Sequence, residues 1–541
     1  MRIYECLKWL WKVSAGFRLY MAGYALAGIT QVGVSLFFVY VCKHLIDIAT
    51  GVSDDDLNIF IGLLLCCMVM QLALSVMRSR LSARTEIRLR NELRRRLFVH
   101  LMESCGAGRE AFHSGDLLNR LEEDVVVVTD AFCRTIPAVA VTTVQLAGAF
   151  CFLSILDARL AGVLVFIMPV ALLFSKRYVN RMRRISREIR ATDSRVQSHL
   201  QENLQNRILI RTLEYTSQSI ERLVSMQQAL CSKVMERTDF SVFSRSMVQL
   251  GFMAGYAVAL LWGVFGLRDG SVTFGMVTAF FQLVSQVQRP MVDLSRQIPS
   301  FIRVFISTER LAELLALPLE QQGDAVRLEG RLGIRAEGIC FTYPEGKRAI
   351  FTNFTYNFTP GSLTAVIGET GVGKTTLLKL ILSLMQPDEG SLTVYNETRE
   401  ETISPLTRCN FSYVPQGNTL VSGSIRDNLM VGNPNATERE LRSALYMAAA
   451  DFVFALPDGM DTLCGEQGAG LSEGQAQRIA IARGLLRPGN VLLLDEPTSS
   501  LDTETENLLL KRLSECLHGK TLLLITHREA IARLCTSVVR M

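Results

Sequence analysis

Long uncharged apolar runs alternate with arginine-rich stretches through the first part of the chain, and neither feature returns later. Six uncharged runs approach the roughly 20 residues that a bilayer-crossing helix needs. They are Met21–Cys42, Leu57–Met77, Thr135–Leu156, Leu160–Ser175, Ser246–Gly266 and Ser271–Gln288, the fourth and sixth being short and extending into their flanks. The polar stretches between them also read as helices. Leu81, Ile87, Leu89, Leu93, Phe98 and Leu101 mark one helical stripe. The turns near Gly115–Asp124 and Gln201–Arg211 are predicted to dock onto a soluble domain. Ser307–Leu315 reads as a helical tail, and Pro318 with Gln321, Gln322 and Gly323 marks a linker. From about Leu332 the pattern changes to short strands alternating with helices. Leu363–Ile367, Val491–Leu494 and Leu522–Ile525 read as buried parallel strands of an α/β domain. The expected organisation is an all-α six-span transmembrane domain over 1–316, a linker over 317–331 and an α/β domain over 332–541.

Charge placement orients the spans. Arg2, Lys8, Lys12 and Arg18 precede the first run. Arg78, Arg80, Arg84, Arg88, Arg90 and Arg94 to Arg96 follow the second, and Lys176, Arg177, Arg181, Arg183, Arg184, Arg187 and Arg190 follow the fourth. The alternate connections are short, built around Asp54–Asp56, Asp157–Arg159 and Arg268–Asp269. Basic loops stay in the cytoplasm, so the N-terminus, both long connections and the α/β domain are expected there. Most of these arginines read as a solvated face at the lipid headgroups. Arg78, Arg80, Lys176 and Arg177, at the inner ends of runs two and four, are also candidates to meet an anionic headgroup. The runs carry no formal charge, which speaks against an ion or proton relay. Gln31, Gln71, Gln145, Gln249, Gln282 and Gln286 are candidates to face a cavity and read mainly as bonds between neighbouring helices.

Composition fits two unlike halves. Hydrophobic residues make up 49% and mean hydropathy is +0.24, apolar for a soluble protein and dilute for a pure membrane protein. A net charge of +5 over 541 residues argues for no nucleic-acid partner. The 13 cysteines show no zinc-type spacing and fall partly in apolar runs, so they read as small hydrophobes. No cleavable leader is expected, because the first apolar run begins near Met21 and is too long for one.

The chemistry lies in the second half. Gly368-Glu369-Thr370-Gly371-Val372-Gly373-Lys374-Thr375 matches G-x-x-x-x-G-K-[ST]. Its glycines let backbone N–H groups wrap phosphates, and the helix that follows favours negative charge at its start. Lys374 is expected to reach the β- and γ-phosphates and the Thr375 hydroxyl to bind Mg²⁺. Val491-Leu-Leu-Leu-Asp495-Glu496 delivers Asp495 beside the same Mg²⁺ and Glu496 toward an attacking water. Phosphoryl transfer needs mainly positioning and charge stabilisation, so this set suffices for ATP hydrolysis.

Leu471-Ser472-Glu473-Gly474-Gln475 resembles the signature of ATP-binding cassettes, and nearly the whole chain is similar to the half-transporters of the ABC exporter family. The resemblance implies a dimer, of two copies or with a related half-transporter. Ser472, Gly474 and Gln475 of one cassette would then press on ATP held by Gly368–Thr375 and Thr376 of the other. It implies that Tyr343 stacks on adenine, that Gln416 touches Mg²⁺ and water, that Asp502 lies in the loop crossing between cassettes, and that His527 meets the γ-phosphate. The catalytic set is then Lys374, Gln416, Glu496 and His527, with ATP and Mg²⁺ as cofactors and Thr375, Gln416 and Asp495 as metal ligands. The implied activity is export of a lipid, amphipathic molecule or peptide from the cytoplasm or inner leaflet, in the cell (inner) membrane. A non-hydrolytic ATP-gated channel or regulator is the alternative, disfavoured by the intact Glu496 and His527. Two departures stand out. Glu473 replaces a glycine of the signature and is expected to point away from phosphate. The chain also stops at Met541, where family members continue with further strand and helix.

Overall fold

Long helices build the first part of the computed structural model, which describes residues 3–105, 114–156, 158–343, 348–465, 470–516, 519–532 and 535–541. They are α1 (Ile3–Val13), α2 (Arg18–Ala49), α3 (Leu57–Glu103), α4 (Ser114–Asn119), α5 (Val125–Asp130), α6 (Ile136–Leu156), α7 (Ala158–Gln205), α8 (Arg207–Thr212), α9 (Thr216–Arg268) and α10 (Phe274–Leu315). Two π-helical turns, Arg120–Asp124 and Ala131–Thr135, join α4, α5 and α6 into one helical stretch. Among the described residues four helical stretches are long and apolar enough to cross a membrane: Arg18–Ala49, Leu57–Glu103, Gly115–Leu156 and Gln249–Arg268. The sixth predicted run is a shorter apolar helix, Phe274–Val287. The fourth falls on α7, where the side chains of 158–180, those of Lys176 and Arg177 included, lie outside the described residues.

Val39, Ala149, Leu153, Ala259, Phe280 and Leu283 are buried together, so runs one, three, five and six share a core. Small residues permit this closeness. A Cβ on Gly148 would come 2.8 Å from Leu36 Cδ1, and one on Gly263 2.9 Å from Val277 Cγ1. Gln31 and Gln286 bond between helices, to Arg78 at 2.7 Å and Ser35 at 3.1 Å. The expected stripe of α3 is corrected. Leu89, Leu93, Leu97 and Leu101 are buried at strict spacings of four, whereas Ile87 and Phe98 are 57% and 55% exposed. At the turn into α8, Ile208 and Leu213 are exposed.

The chain divides into two compact units, Met1–Leu97 with Leu118–Glu313, and Phe98–Leu117 with Leu314–Met541. In the second, residues after α10 run along the α/β layer. Val326 N–H donates to Leu406 O at 2.9 Å, and Arg408 grips Glu320 through two bonds of 2.8 and 3.0 Å. Asn410, 2% exposed, accepts from Leu328 N–H and donates to Val326 O and Thr407 O.

The α/β layer has two main sheets. An antiparallel one is ordered β2 (Ala349–Phe358), β1 (Gly333–Thr342), β4 (Glu389–Tyr395), β5 (Glu400–Thr402). A parallel one is ordered β11 (Ser537–Arg540), β3 (Leu363–Ile367), β10 (Thr521–Ile525), β9 (Val491–Asp495), β6 (Phe411–Val414). Every residue of β9 and β10 is buried, which explains their unbroken apolar runs. Between β6 and β9 in sequence lies a helical lobe containing α12 (Ile425–Gly432), α13 (Glu438–Met447) and α14 (Glu473–Leu486). The last strand, β11, pairs along β3, and Met541 N–H donates to Ile367 O at 2.9 Å.

Candidate functional site

Parallel strands deliver their next residues to one edge of the sheet, beyond the carboxyl ends, where α/β folds bind ligands. β3, β10, β9 and β6 are neighbours. The segments that follow them therefore converge: the loop 368–373, then Thr526 and His527, then Glu496, then Gln416.

The loop after β3 is a backbone cradle. Gly371 and Gly373 have φ of +86° and +112°, open only to glycine at low cost. A Cβ on Gly373 would also lie 2.4 Å from Ile350 Cγ2. The helix α11 (Lys374–Ile381) starts directly behind it. Glu369, Thr370 and Gly371 are exposed, and Gly368 and Val372 half-buried. The Lys374 side chain is buried and folds back, donating through Nζ to Gly368 O at 2.8 Å and Glu369 O at 2.9 Å. Burial lowers its pKa, opposed by the nearby Glu496 and Asp495. A cation held by two loop carbonyls is poised for a stronger acceptor such as phosphate oxygen.

Thr375 Oγ1 donates to Asp495 Oδ2 at 2.9 Å. Asp495 is 2% exposed. Burial raises its pKa, and the Thr375 hydrogen bond pulls the other way. The Tyr413 hydroxyl faces the same carboxylate and is pushed up to about 12, first by burial and then by Asp495. The hydroxyl–carboxylate pair offers hard oxygen ligands. Among the described residues no group of three or more His, Cys, Asp or Glu gathers as a metal site. This oxygen pair fits Mg²⁺, a hard cation that keeps waters and binds through substrate phosphates.

Glu496 is held from several sides. Its φ is +48°, a left-handed conformation unusual for a residue with a side chain. Its N–H donates to Ile525 O at 3.1 Å. One carboxylate oxygen accepts from Gln416 Nε2 at 2.7 Å, and the other touches His527 Nε2. Gln416, Glu496 and His527 thus meet as one cluster.

Tyr343 is half-buried. Its ring stands edge-on to Phe341 at 5.1 Å, and its hydroxyl shares a 3.0 Å hydrogen bond with Thr376 Oγ1. The Ser472–Gln475 segment opens α14 through a capping box. Ser472 Oγ accepts Gln475 N–H at 3.2 Å, and Gln475 Oε1 accepts Ser472 N–H at 2.9 Å. The Ser472 hydroxyl proton stays available, and Glu473 in the first turn is exposed. A Cβ on Gly474 would lie 2.7 Å from Ser500 O, so this glycine is needed for close approach. Asp502 is exposed and accepts Thr505 N–H at 3.0 Å, capping α15 (Thr503–Cys516); that bond lowers its pKa.

Two contacts escape a reading of motifs. Tyr413 lies against Asp495, and Gln477 Nε2 donates to Glu496 O at 2.9 Å. The signal available in the sequence was position alone: Tyr413 in the strand before Gln416, and Gln477 two residues after the signature.

Comparison with known proteins accords with this geometry. Residues 19–291 match the family model of the ABC transporter transmembrane region, and 351–499 match that of the ABC transporter. The uncharacterized ABC transporter ATP-binding protein YfiB of Bacillus subtilis is 28% identical over 528 residues, 95% of this chain and 90% of that protein. The ATP-dependent lipid A-core flippase of Pseudomonas fluorescens is 29% identical over 451 residues, 82% of this chain and 74% of that one. A solved bacterial Atm1-family ABC exporter with ATP bound shares the fold at a TM-score of 0.80 and 21% identity, covering 97% and 94% of the two chains.

Proposed function

The chain belongs to the ABC transporter family, with transmembrane and ATP-binding regions fused in one polypeptide, and we propose that two chains share two ATP sites to export an amphipathic substrate. It is an integral membrane protein whose ATPase drives transport. The observation that carries the reading is the convergence of Lys374, the Thr375–Asp495 pair and the Gln416–Glu496–His527 cluster at one sheet edge.

The residues divide the work. Lys374 leaves the carbonyls of Gly368 and Glu369 to bind phosphate oxygens. Thr375 and Asp495 would hold Mg²⁺, with Gln416 as a further ligand; when bound, Mg²⁺ neutralises charge on the phosphates. Glu496 orients water and takes its proton at a carboxylate oxygen, as general base. Gln416 and His527 fix that carboxylate, and His527 reaches the γ-phosphate. Tyr343 supports adenine. Ser472 donates its hydroxyl proton, and with Gly474 and Gln475 presents the start of a 14-residue helix to ATP on the second copy. Exposed Glu473 stays on the outer side of that helix.

The membrane is the cell (inner) membrane, with the N-terminus and cassette cytoplasmic. The substrate is an anionic amphiphile entering from the inner leaflet. Two things support it: Arg78 at the inner end of the second run, and the lipid substrate in the name of the Pseudomonas relative. ATP hydrolysis by the purified chain in vesicles tests the reading. Turnover should be lost in Lys374→Ala and stimulated by anionic amphiphiles. A wild-type chain that binds ATP without hydrolysing it would leave a gated channel or regulator instead.

A further inference from the structure

We infer that Gln477 is a positioning residue through which engagement of the signature segment sets the geometry of Glu496 in the same chain; this rests on the shared-site reading above.

Gln477 is fully buried on α14, between Ser472 at the helix N-cap and Arg483 near its end. Its Nε2 donates to the main-chain oxygen of Glu496 at 2.9 Å. That peptide group belongs to the residue whose φ is +48°. A residue persists in this region only when its surroundings over-determine it. The other constraints on the Glu496 backbone come from the sheet and the local turn: its N–H donates to Ile525 O, and its carbonyl also accepts from Ser499 Oγ at 3.1 Å. Among the described residues, Gln477 is the hydrogen-bond donor to this backbone that comes from the helical lobe. Its Oε1 is buried with no hydrogen-bond partner among the described residues. An apolar side chain of the same shape would avoid that cost, so packing alone does not account for a glutamine here.

The same helix holds the loop that carries Gln416. Arg483 donates to Thr419 O at 3.0 Å and to Thr419 Oγ1 at 2.8 Å. Gln416 in turn donates to the Glu496 carboxylate. One rigid helix therefore grips the backbone of Glu496 directly and its side chain through the loop. The N-terminal end of that helix is where the second copy's ATP would press. A small rotation of α14 on engagement moves the Glu496 peptide through Gln477, so contact at one shared site adjusts the base of the other.

Gln477→Met keeps length and apolar packing and removes the donor. In the purified full chain, ATPase kcat should fall about ten-fold, the size expected when one hydrogen bond made in the transition state is lost. KM and the affinity for a fluorescent ATP analogue should stay within about two-fold. Thermal stability of the variant separates a folding defect from a positioning defect. The discriminating measurement is Ser472→Ala in both backgrounds. Groups acting in series are non-additive, so Ser472→Ala should cost less in Gln477→Met than in wild type. Multiplying effects, or a wild-type kcat in a folded Gln477→Met chain, would overturn the inference and leave the ATPase reading intact. A wild-type chain with no ATPase would overturn both.

Discussion

Gln416 and Glu496 stand 80 residues apart in the chain, yet the amide nitrogen of one lies 2.7 Å from a carboxylate oxygen of the other. The contact follows from sheet order. β6 and β9 are parallel neighbours in register, Val414 opposite Leu494, so whatever follows each strand arrives at the same place. His527, delivered by β10 on the other flank of β9, takes the second oxygen.

Under the proposed function this carboxylate, held by Gln416 and His527, is the general base. Glu496→Gln keeps shape and the Gln416 neighbour but removes the proton acceptor. ATP binding, measured with a fluorescent analogue, should be retained, and turnover should fall roughly a hundredfold or more. Near-wild-type turnover would remove Glu496 from the role of base.

The parts of this site that were legible in the sequence are those whose chemistry constrains residue types locally. A phosphate cradle needs glycines at fixed spacing because Gly371 and Gly373 adopt positive φ. A fully buried strand must read as an apolar run, as β9 does. Gln477 was illegible because its function depends on which carbonyl the fold brings above it. The stripe on α3 was half legible. Leucines at spacings of four identify the face that Leu89, Leu93 and Leu97 bury, but Ile87 and Phe98 are exposed. An apolar residue on a helix outside the apolar runs does not announce which side it faces.

The shared-site reading predicts complementation. In a mixture of Lys374→Ala and Ser472→Ala chains, a mixed dimer has both lesions at one ATP site and none at the other. ATPase activity should rise on mixing above that of either variant alone. If each variant alone is fully active, the shared-site reading fails.

Asn410 ties the segment after α10 to the cassette through three hydrogen bonds, to Leu328 N–H, Val326 O and Thr407 O. Asn410→Ala strips all three and leaves buried backbone groups short of partners. Cassette stability should drop by about 2–4 kcal/mol, since each unsatisfied buried group costs on the order of 1–3 kcal/mol. Denaturant unfolding followed by a cassette-specific probe measures it. A change below about 0.5 kcal/mol, the usual range of surface substitutions, would mean that water replaces the lost bonds.

Arg78 carries the substrate prediction. Its guanidinium is half-buried between runs one and two, donating to Gln31 Oε1 at 2.7 Å and Tyr24 OH at 3.0 Å, and lies over the Tyr24 ring at 4.7 Å from its centre. Its Nε is buried without a hydrogen-bond partner among the described residues. A buried guanidinium nitrogen left without an acceptor is costly unless another group uses it. Arg80, two residues on, is exposed. The two arginines should therefore separate. Arg78→Gln should weaken half-maximal stimulation of ATPase by anionic amphiphiles about ten-fold or more, the range for losing a charge-assisted hydrogen bond. It should leave stimulation by cationic amphiphiles and basal turnover near wild type. Arg80→Gln should change neither response. Equal losses for both classes of amphiphile in Arg78→Gln would make the Gln31–Arg78–Tyr24 cluster a fastening between helices and return the substrate question to the remaining surfaces of the spans.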